Sequence, residues 1–225
     1  MAFIPPPPHI SLGIGAEIIY SFVIIVCSLM IYFGTKKIYD LSSYKGIKYF
    51  RQAFLLFAIA YFFRFLIEFT VAYLNINEIF NLYPLVLGYI AIFIFMYLSS
   101  ISIFYLIYSV SWKKWKAKST LYIFHAIAVI VALASIIFMD EIFYIGLNII
   151  LLIYAAFAIY FSRKNQKSKK NNFYIVYILL LIFWILNALT IFIPAFFDSL
   201  KLSVYLASSC IFLIILYKVL KKSGD

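Results

Sequence analysis

The sequence predicts an all-α, polytopic membrane protein with seven transmembrane helices, and this follows from its composition and its long apolar runs. Of the 225 residues, 67% are hydrophobic and 12% are charged, whereas a soluble domain carries about 25% charged residues. A chain this apolar would aggregate in water, so we expect a bilayer to be its solvent. In hydrocarbon a continuous helix satisfies its own backbone hydrogen bonds, which an open strand cannot do.

Seven apolar stretches are long enough to cross a bilayer, which takes about 20 helical residues. They are apolar on every face, whereas the strands of a membrane barrel are about ten residues long and alternate. The predicted spans are residues 12–33, 51–74, 83–110, 120–139, 142–162, 173–194 and 201–220. The predicted domains are an extracellular Pro-rich strap at 1–11, a transmembrane domain at 12–220 and a cytoplasmic tail at 221–225.

The strap reads MAFIPPPPHIS and has no basic residue before the first span. It therefore lacks the basic flank of a secretory signal peptide. Its four consecutive prolines impose an extended polyproline conformation. We expect a short, stiff segment over the outer mouth of the bundle, with a solvated His9 at its end.

The basic residues orient the predicted bundle. The connections after the first, third and fifth spans read TKKIYDLSSYKGIKYFR, SWKKWKAK and SRKNQKSKK, and the chain ends in YKVLKKSGD. Every Lys and Arg except Arg64 and Lys201 lies in these segments. Short cytoplasmic loops collect Lys and Arg, so we expect the N-terminus outside and the C-terminus in the cytoplasm of a cell-membrane protein. The acidic residues of the opposite side are Glu78, Asp140, Glu141 and Asp198.

The same distribution explains the net charge of +11 without nucleic-acid binding. The charges are divided among membrane loops, where they set topology and contact anionic lipid headgroups. Cys27 and Cys210 lie in apolar runs and read as packing residues. Two histidines cannot form a multi-histidine metal site. We therefore expect the lipid bilayer as partner and no cofactor.

Polar side chains within the spans gather in the predicted outer half. At 1.5 Å per residue, Glu17 lies about 8 Å and Glu68 about 9 Å below the outer surface, with Arg64 one turn deeper. An uncompensated charge at the bilayer centre costs about 2.5–3.5 kcal/mol or more, so these groups should turn inward and find partners. The predicted ligand- or ion-binding residues are Glu17, Arg64, Glu68, Asn148, Asn187 and Ser208.

The partner of Arg64 is open at this point. Arg64 and Glu68 share a helix face, but the better order for such a pair places Glu on the N-terminal side. A cross-helix pair with Glu17 is therefore an alternative. We interpret the group as a polar pocket open to the outside, although buried Arg–Glu pairs and Asn side chains also lock helices together without a ligand. The inner half looks dry except for His125.

An internal repeat is compatible with this layout, because spans 1–3 and 5–7 would run in the same directions. IGAEII around Glu17 is similar to IGLNII around Asn148, and an offset of 123 places Arg64 on Asn187. The layout resembles, in length and topology, the seven-helix transporter, opsin and receptor-like proteins, which include SWEET-type carriers and rhodopsins. That resemblance implies a three-plus-one-plus-three bundle. No lysine lies in the middle of the last span, which argues against a retinal protein of the usual kind.

The residues favour a small-solute or ion/proton-linked carrier, because an ionisable cluster in a membrane marks a substrate or proton path. A sensor or receptor-like module that binds a ligand from outside is the alternative, and the dry inner half favours it. A structural membrane subunit without a ligand is the third. No HExxH or GxSxG motif points to an enzyme.

The predicted topology is testable by thiol labelling in a background without Cys27 and Cys210. Single cysteines at Asn77 and Asp198 should react with an impermeant thiol reagent added outside, because both positions lie in outer connections. Cysteines at the cytoplasmic positions Ser43 and Ser168 should react only after permeabilisation. The reverse labelling pattern would overturn the orientation.

Overall fold

A computed structural model describes most of the chain, and every regular element in the described residues is an α-helix. The described residues are 12–74, 83–112, 119–138, 146, 149–150, 152–153, 155–157, 159–160, 173–193 and 197–224. In this part of the chain the helices are α1 (Leu12–Gly34), α2 (Lys36–Ser42), α3 (Lys45–Leu74), α4 (Tyr83–Ser111), α5 (Ser119–Phe138), α6 (Phe173–Phe192) and α7 (Asp198–Gly224). The all-α prediction is confirmed.

The helix bounds follow the predicted spans closely for α1, α4, α5 and α6. By contrast, α3 begins at Lys45 instead of residue 51, and α7 extends at both ends of its predicted span. Much of the fifth predicted span, 142–162, lies outside the described residues, although its described residues between 149 and 160 are helical. The N-terminal strap and Asn148 also lie outside the described residues.

Five helices among the described residues are long and apolar enough to cross a membrane, and a further apolar helix, Tyr174–Thr190, is shorter. Their outward faces carry large apolar side chains: Tyr122 is 76% exposed and Ile137 is 73% exposed on α5. A soluble monomer rarely leaves extended apolar surface uncovered. Length, composition and surface therefore agree on a multi-pass helical membrane protein. The five spans are Gly15–Ser42, Lys45–Thr70, Tyr89–Ser111, Ser119–Ile137 and Ser199–Lys221.

The connection between the first two predicted spans is largely helical, so α3 begins before residue 51, the predicted start of its span. The short helix α2 ends at Ser43, whose φ of 49° lies in the left-handed region and whose N–H donates to the Tyr39 carbonyl at 2.8 Å. Arg51 on α3 then donates from Nε to the Tyr32 carbonyl at 3.1 Å, and its guanidinium lies 4.9 Å from the Tyr32 ring centroid. A charged segment can stay helical at a membrane surface because its side chains remain in water while its backbone bonds internally.

Contacts along the helices give their relative directions. Ser21 contacts Glu68 and Tyr32 contacts Arg51, so α1 and α3 are antiparallel. The pairs Phe57–Phe183 and Tyr61–Asn187 show that α3 and α6 run in parallel. The start of α7 contacts the start of α1. The ends of α3 and α6 and the starts of α1 and α7 therefore meet at one end of the bundle.

The centre of the bundle is a cluster of aromatic rings. The Phe57 and Phe212 rings stack with centroids 5.7 Å apart, and Phe183 contacts Phe212 edge-on at 4.9 Å. Both Phe183 and Phe212 are fully buried. Small residues let α3 and α4 approach each other closely, so that the Ser102 hydroxyl donates to the Ala53 carbonyl at 3.0 Å.

Replacing Phe212 by Ala tests the aromatic core. Truncating a buried Phe typically costs about 3–5 kcal/mol, because contacts are lost and a cavity remains. Phe22→Ala is the matched control, since Phe22 is 59% exposed and should change stability by about 0.5 kcal/mol or less. Unfolding in detergent micelles followed by denaturant titration measures both. Equal losses in the two variants would contradict this description of the core.

Candidate functional site

The end of the bundle where α1, α3, α6 and α7 meet holds a network of polar side chains. Arg64 and three other predicted site residues belong to this network, together with three tyrosines and one serine. We call this group the polar cluster. Its members are Glu17, Tyr20, Ser21, Tyr61, Arg64, Glu68, Asn187 and Tyr205.

An ion pair on α3 lies at the centre of the polar cluster. Arg64 Nε donates to Glu68 Oε1 at 2.7 Å, and the two side chains are 22% and 9% exposed. The Ser21 hydroxyl donates to the other carboxylate oxygen at 2.9 Å. The guanidinium carbon lies 5.6 Å from the Tyr20 ring centroid and 5.7 Å from that of Tyr61, within the range of cation–π attraction.

The partner of Arg64 is therefore Glu68 on the same helix, one turn further along. The order of the two residues argued for a cross-helix partner, but that preference changes helix stability by only about 0.2–0.5 kcal/mol in water. A direct contact between charges is worth far more in an apolar interior. The close approach of Ser21 and two tyrosine rings then completes the surroundings of the pair.

Asn187 is held by two tyrosines from other helices. Its Oδ1 accepts from the Tyr20 hydroxyl at 2.7 Å and from the Tyr61 hydroxyl at 3.2 Å. Its Nδ2 donates to the Phe183 carbonyl at 2.9 Å. The Asn187 side chain therefore ties α6 to α1 and α3 and stands in a fixed orientation beside Arg64.

Glu17 has a different partner from the one considered for it. The Tyr205 hydroxyl of α7 donates to Glu17 Oε1 at 2.6 Å, and the Tyr205 ring stacks on Tyr20 at 4.9 Å. Ser208 is buried, and its Oγ has no hydrogen-bond partner among the described residues. Of the two partners that the sequence left open for Arg64, Glu17 is therefore not the one observed, and Ser208 makes no hydrogen bond to the polar cluster.

The tyrosines are the members that sequence reasoning missed. Tyr20 follows Glu17 by three residues and Tyr61 precedes Arg64 by three, so each lies on the same helix face as a charged residue. That spacing was an available signal. It was obscured because the chain contains 20 Tyr and 25 Phe, and an aromatic residue in a span is usually packing.

A cavity of about 400 Å³ adjoins the polar cluster between α3, α4 and α6. Small-molecule sites typically measure about 300–1,000 Å³ and are mostly apolar with a few polar groups. Glu17 and Ser208 do not line this cavity. At one end its wall is polar, and at the other it is apolar. The polar lining residues include Arg64, Glu68, Asn187 and Thr190, and the apolar ones include Phe57, Phe95, Met96 and Trp184.

A second, narrow cavity of about 20 Å³ lies beyond Ile103 and Trp184, which line both cavities. Tyr177, one of its lining residues, has its hydroxyl 2.7 Å from Ser109 Oγ. Polar groups also occur on α4 and α5, where the Tyr97 hydroxyl is 2.7 Å from His125 Nδ1. Besides His125, which the sequence indicated, the half of the bundle expected to be dry therefore contains hydroxyl groups.

Comparison with known proteins shows a family relation over most of the chain. No protein-family model and no solved structure matches the chain. A curated protein of Archaeoglobus fulgidus is 33% identical over 215 residues, which cover 93% of each chain. The chain belongs to the family of that archaeal protein. The relative is described as an "Uncharacterized protein", so the relation names no substrate.

A double-mutant cycle tests the ion pair. Arg64→Leu alone should lower the free energy of unfolding, because it leaves the Glu68 carboxylate without its counter-ion. Breaking a buried pair typically costs about 3–5 kcal/mol in soluble proteins, and we expect no more than this in lipid. Glu68→Leu should be similarly costly, and the double variant should recover part of the loss. The free energies of unfolding in micelles give the coupling, which we expect at about 0.5–3 kcal/mol. Strictly additive losses would show that the two charges do not stabilise each other.

Proposed function

We propose that this protein is a carrier that binds a small solute in the cavity between α3, α4 and α6. The observation that supports this most is the placement of Arg64, Glu68 and Asn187 on the wall of a cavity of about 400 Å³ inside an apolar bundle. Ionisable residues at such positions are costly, and in membrane proteins they mark substrate, ion and proton paths.

The proposal includes seven spans with the N-terminus outside and the C-terminus in the cytoplasm of a cell membrane. The polar cluster then lies in the outer half, and the solute enters from outside. A repeat in which Arg64 and Asn187 are equivalent positions requires α3 and α6 to run in parallel, as they do. In carriers built from repeats, substrate sites typically lie at the repeat interface.

A carrier also needs a route to the cytoplasm. The narrow cavity supports such a route, because Ile103 and Trp184 line it as well as the larger cavity and Tyr177 lines it further along α6. In this arrangement Ile103 and Trp184 form the barrier between an outward-facing site and the inner side. Movement of α6 relative to α4 would open it.

A sensor or receptor-like module is the second candidate, and one observation favours it. The cavity of about 20 Å³ is narrow and almost wholly apolar, while the cavity of about 400 Å³ is wide and partly polar. A ligand that binds and leaves from one side needs no inner route. A purely structural subunit is the third candidate, in which the polar cluster only joins four helices.

A thermal-shift screen of the full chain in micelles tests ligand binding. Ions, sugars, amino acids, organic acids and amines are added to the wild type and to Asn187→Leu and Ala188→Phe, since both residues line the cavity. A ligand at 100 times its dissociation constant stabilises the folded state by about 2.7 kcal/mol. We expect this stabilisation in the wild type and its loss in both variants.

Leu189→Phe is the matched control, because Leu189 is 46% exposed on the opposite side of the same turn of α6. It should keep the ligand response. Uptake of the stabilising compound into proteoliposomes then separates a carrier from a sensor. If no compound stabilises the wild type and Ala188→Phe behaves like Leu189→Phe, the cavity binds no solute of these classes and the structural role stands.

A further inference from the structure

The polar wall of the cavity offers mainly hydrogen-bond donors. Both Glu68 oxygens already accept bonds, from Arg64 and Ser21, and Asn187 Oδ1 accepts two bonds from tyrosines. A guanidinium has five N–H groups, and Arg64 uses Nε–H on Glu68. Among the described residues, no acceptor bonds to its terminal nitrogens. A ligand group that binds to this wall is therefore a hydrogen-bond acceptor.

Apart from Ser99 on α4, the rest of the cavity is lined by apolar and aromatic side chains. Phe57, Phe95 and Trp184 line it below the polar end, and Met96 lies on the α4 side. Methionine adapts to irregular apolar shapes and contacts aromatic rings favourably. A ligand with an apolar or aromatic body would therefore extend from the polar end toward Trp184. The site matches an amphiphile better than a sugar, which presents hydroxyls on every side.

The single cation on the described cavity wall favours a ligand with one negative charge. Arg64 is the one cation on the described cavity wall, so a dianionic phosphate would leave an uncompensated charge in an apolar interior. A ligand carboxylate can replace Glu68 and take two parallel bonds from the guanidinium, whereas Glu68 takes one, from Nε. The displaced Glu68 would then be a second buried anion, and one proton on Glu68 restores neutrality.

The groups around Glu68 are compatible with its replacement at Arg64 by the ligand carboxylate and with its protonation. Arg64 faces it from α3, and Ser21 faces it from α1. The other titratable members of the polar cluster are Glu17 and Tyr20 on α1, Tyr61 on α3 and Tyr205 on α7, and Glu17 is bonded to Tyr205. The lining residues of α4 and α6 carry no titratable group. Ser21 Oγ can accept from a protonated Glu68 as readily as it donates to the carboxylate.

We infer that the cavity binds an amphiphilic monocarboxylate, with its carboxylate on Arg64 and Asn187 and its apolar body against Phe57, Phe95 and Trp184, and that one proton enters with it at Glu68. This inference rests on the proposed solute-binding role of the cavity. It assigns the carrier a substrate class and a coupled proton. No bond other than O–H forms or breaks, because the proton comes from water.

The experiment compares probes of matched shape on the full chain in nanodiscs of zwitterionic lipid. Phenylacetate is the monocarboxylate, phenylacetamide its neutral counterpart and phenethylamine its cationic counterpart, and binding is measured by calorimetry. We expect phenylacetate to bind at least about tenfold more tightly than the other two. Between about pH 6 and 8 a free carboxylic acid stays ionised, so uptake of one proton should tighten phenylacetate binding by about tenfold per unit fall in pH.

The variants assign the roles. Arg64→Met should lose phenylacetate binding, whereas Arg51→Met, a guanidinium at the other end of α3, should keep it. Glu68→Gln should bind phenylacetate without pH dependence. If Arg64→Met does not fold, Ala188→Phe should remove binding by filling the cavity while the ion pair stays intact. Loss of the pH dependence in Glu17→Gln and its persistence in Glu68→Gln would overturn the assignment of the proton to Glu68.

The outcomes separate this inference from the proposed function. Tighter binding of phenethylamine or phenylacetamide, abolished by Ala188→Phe, would overturn the carboxylate assignment and leave solute binding standing. No binding by any probe, together with no hit in the broader screen, would overturn both. Decanoate distinguishes the source of the acid. A decanoate affinity well above that of phenylacetate indicates a membrane-borne fatty acid, and the opposite order indicates an acid taken from water.

Discussion

The partly buried ion pair of Arg64 and Glu68 is the constraint on which the rest of this bundle depends. Charges placed in an apolar interior must be surrounded by partners, because water is not available to solvate them. Here α3 supplies both charges, α1 supplies a hydroxyl and α1 and α3 supply aromatic faces. Meeting that requirement brings the ends of α1, α3, α6 and α7 together and sets the level of the candidate site.

Two kinds of packing place the cavity beside this pair. Toward the other end of the bundle, Ala53 and Ser102 let α3 and α4 approach closely enough for a side chain to bond a backbone carbonyl. Near the centre the stacked rings of Phe57, Phe183 and Phe212 fill the space among α3, α6 and α7. The cavity of about 400 Å³ lies between α3, α4 and α6, with Phe95 of α4 and Trp184 of α6 on its apolar wall.

The cavity has an uneven chemical character that follows from the same contacts. The acceptor oxygens of Asn187 and Glu68 already receive bonds from the tyrosines, Ser21 and Arg64, whereas the terminal N–H groups of Arg64 have no partner among the described residues. Of two further polar contacts, Tyr177 with Ser109 lies nearer the other end, and His125 lies between Tyr97 and Tyr105 of α4. Hydroxyls suit these positions because they donate or accept as the neighbour requires. Ile103 and Trp184 thus lie between the polar cluster and the contact of Tyr177 with Ser109.

The amino-acid sequence by itself determined the class of protein, the bounds of most helices and the level of the charged side chains. These follow from run length and rise per residue, which are local quantities, so the sequence alone places residues such as Glu17, Arg64 and Asn187 at one end of the bundle. The tertiary structure alone decided the partners. It paired Arg64 with Glu68, gave Glu17 to Tyr205 and brought three tyrosines into the polar cluster. Those choices depend on how each helix is rotated about its axis, and a chain that is apolar on every helix face carries no pattern from which that rotation can be read.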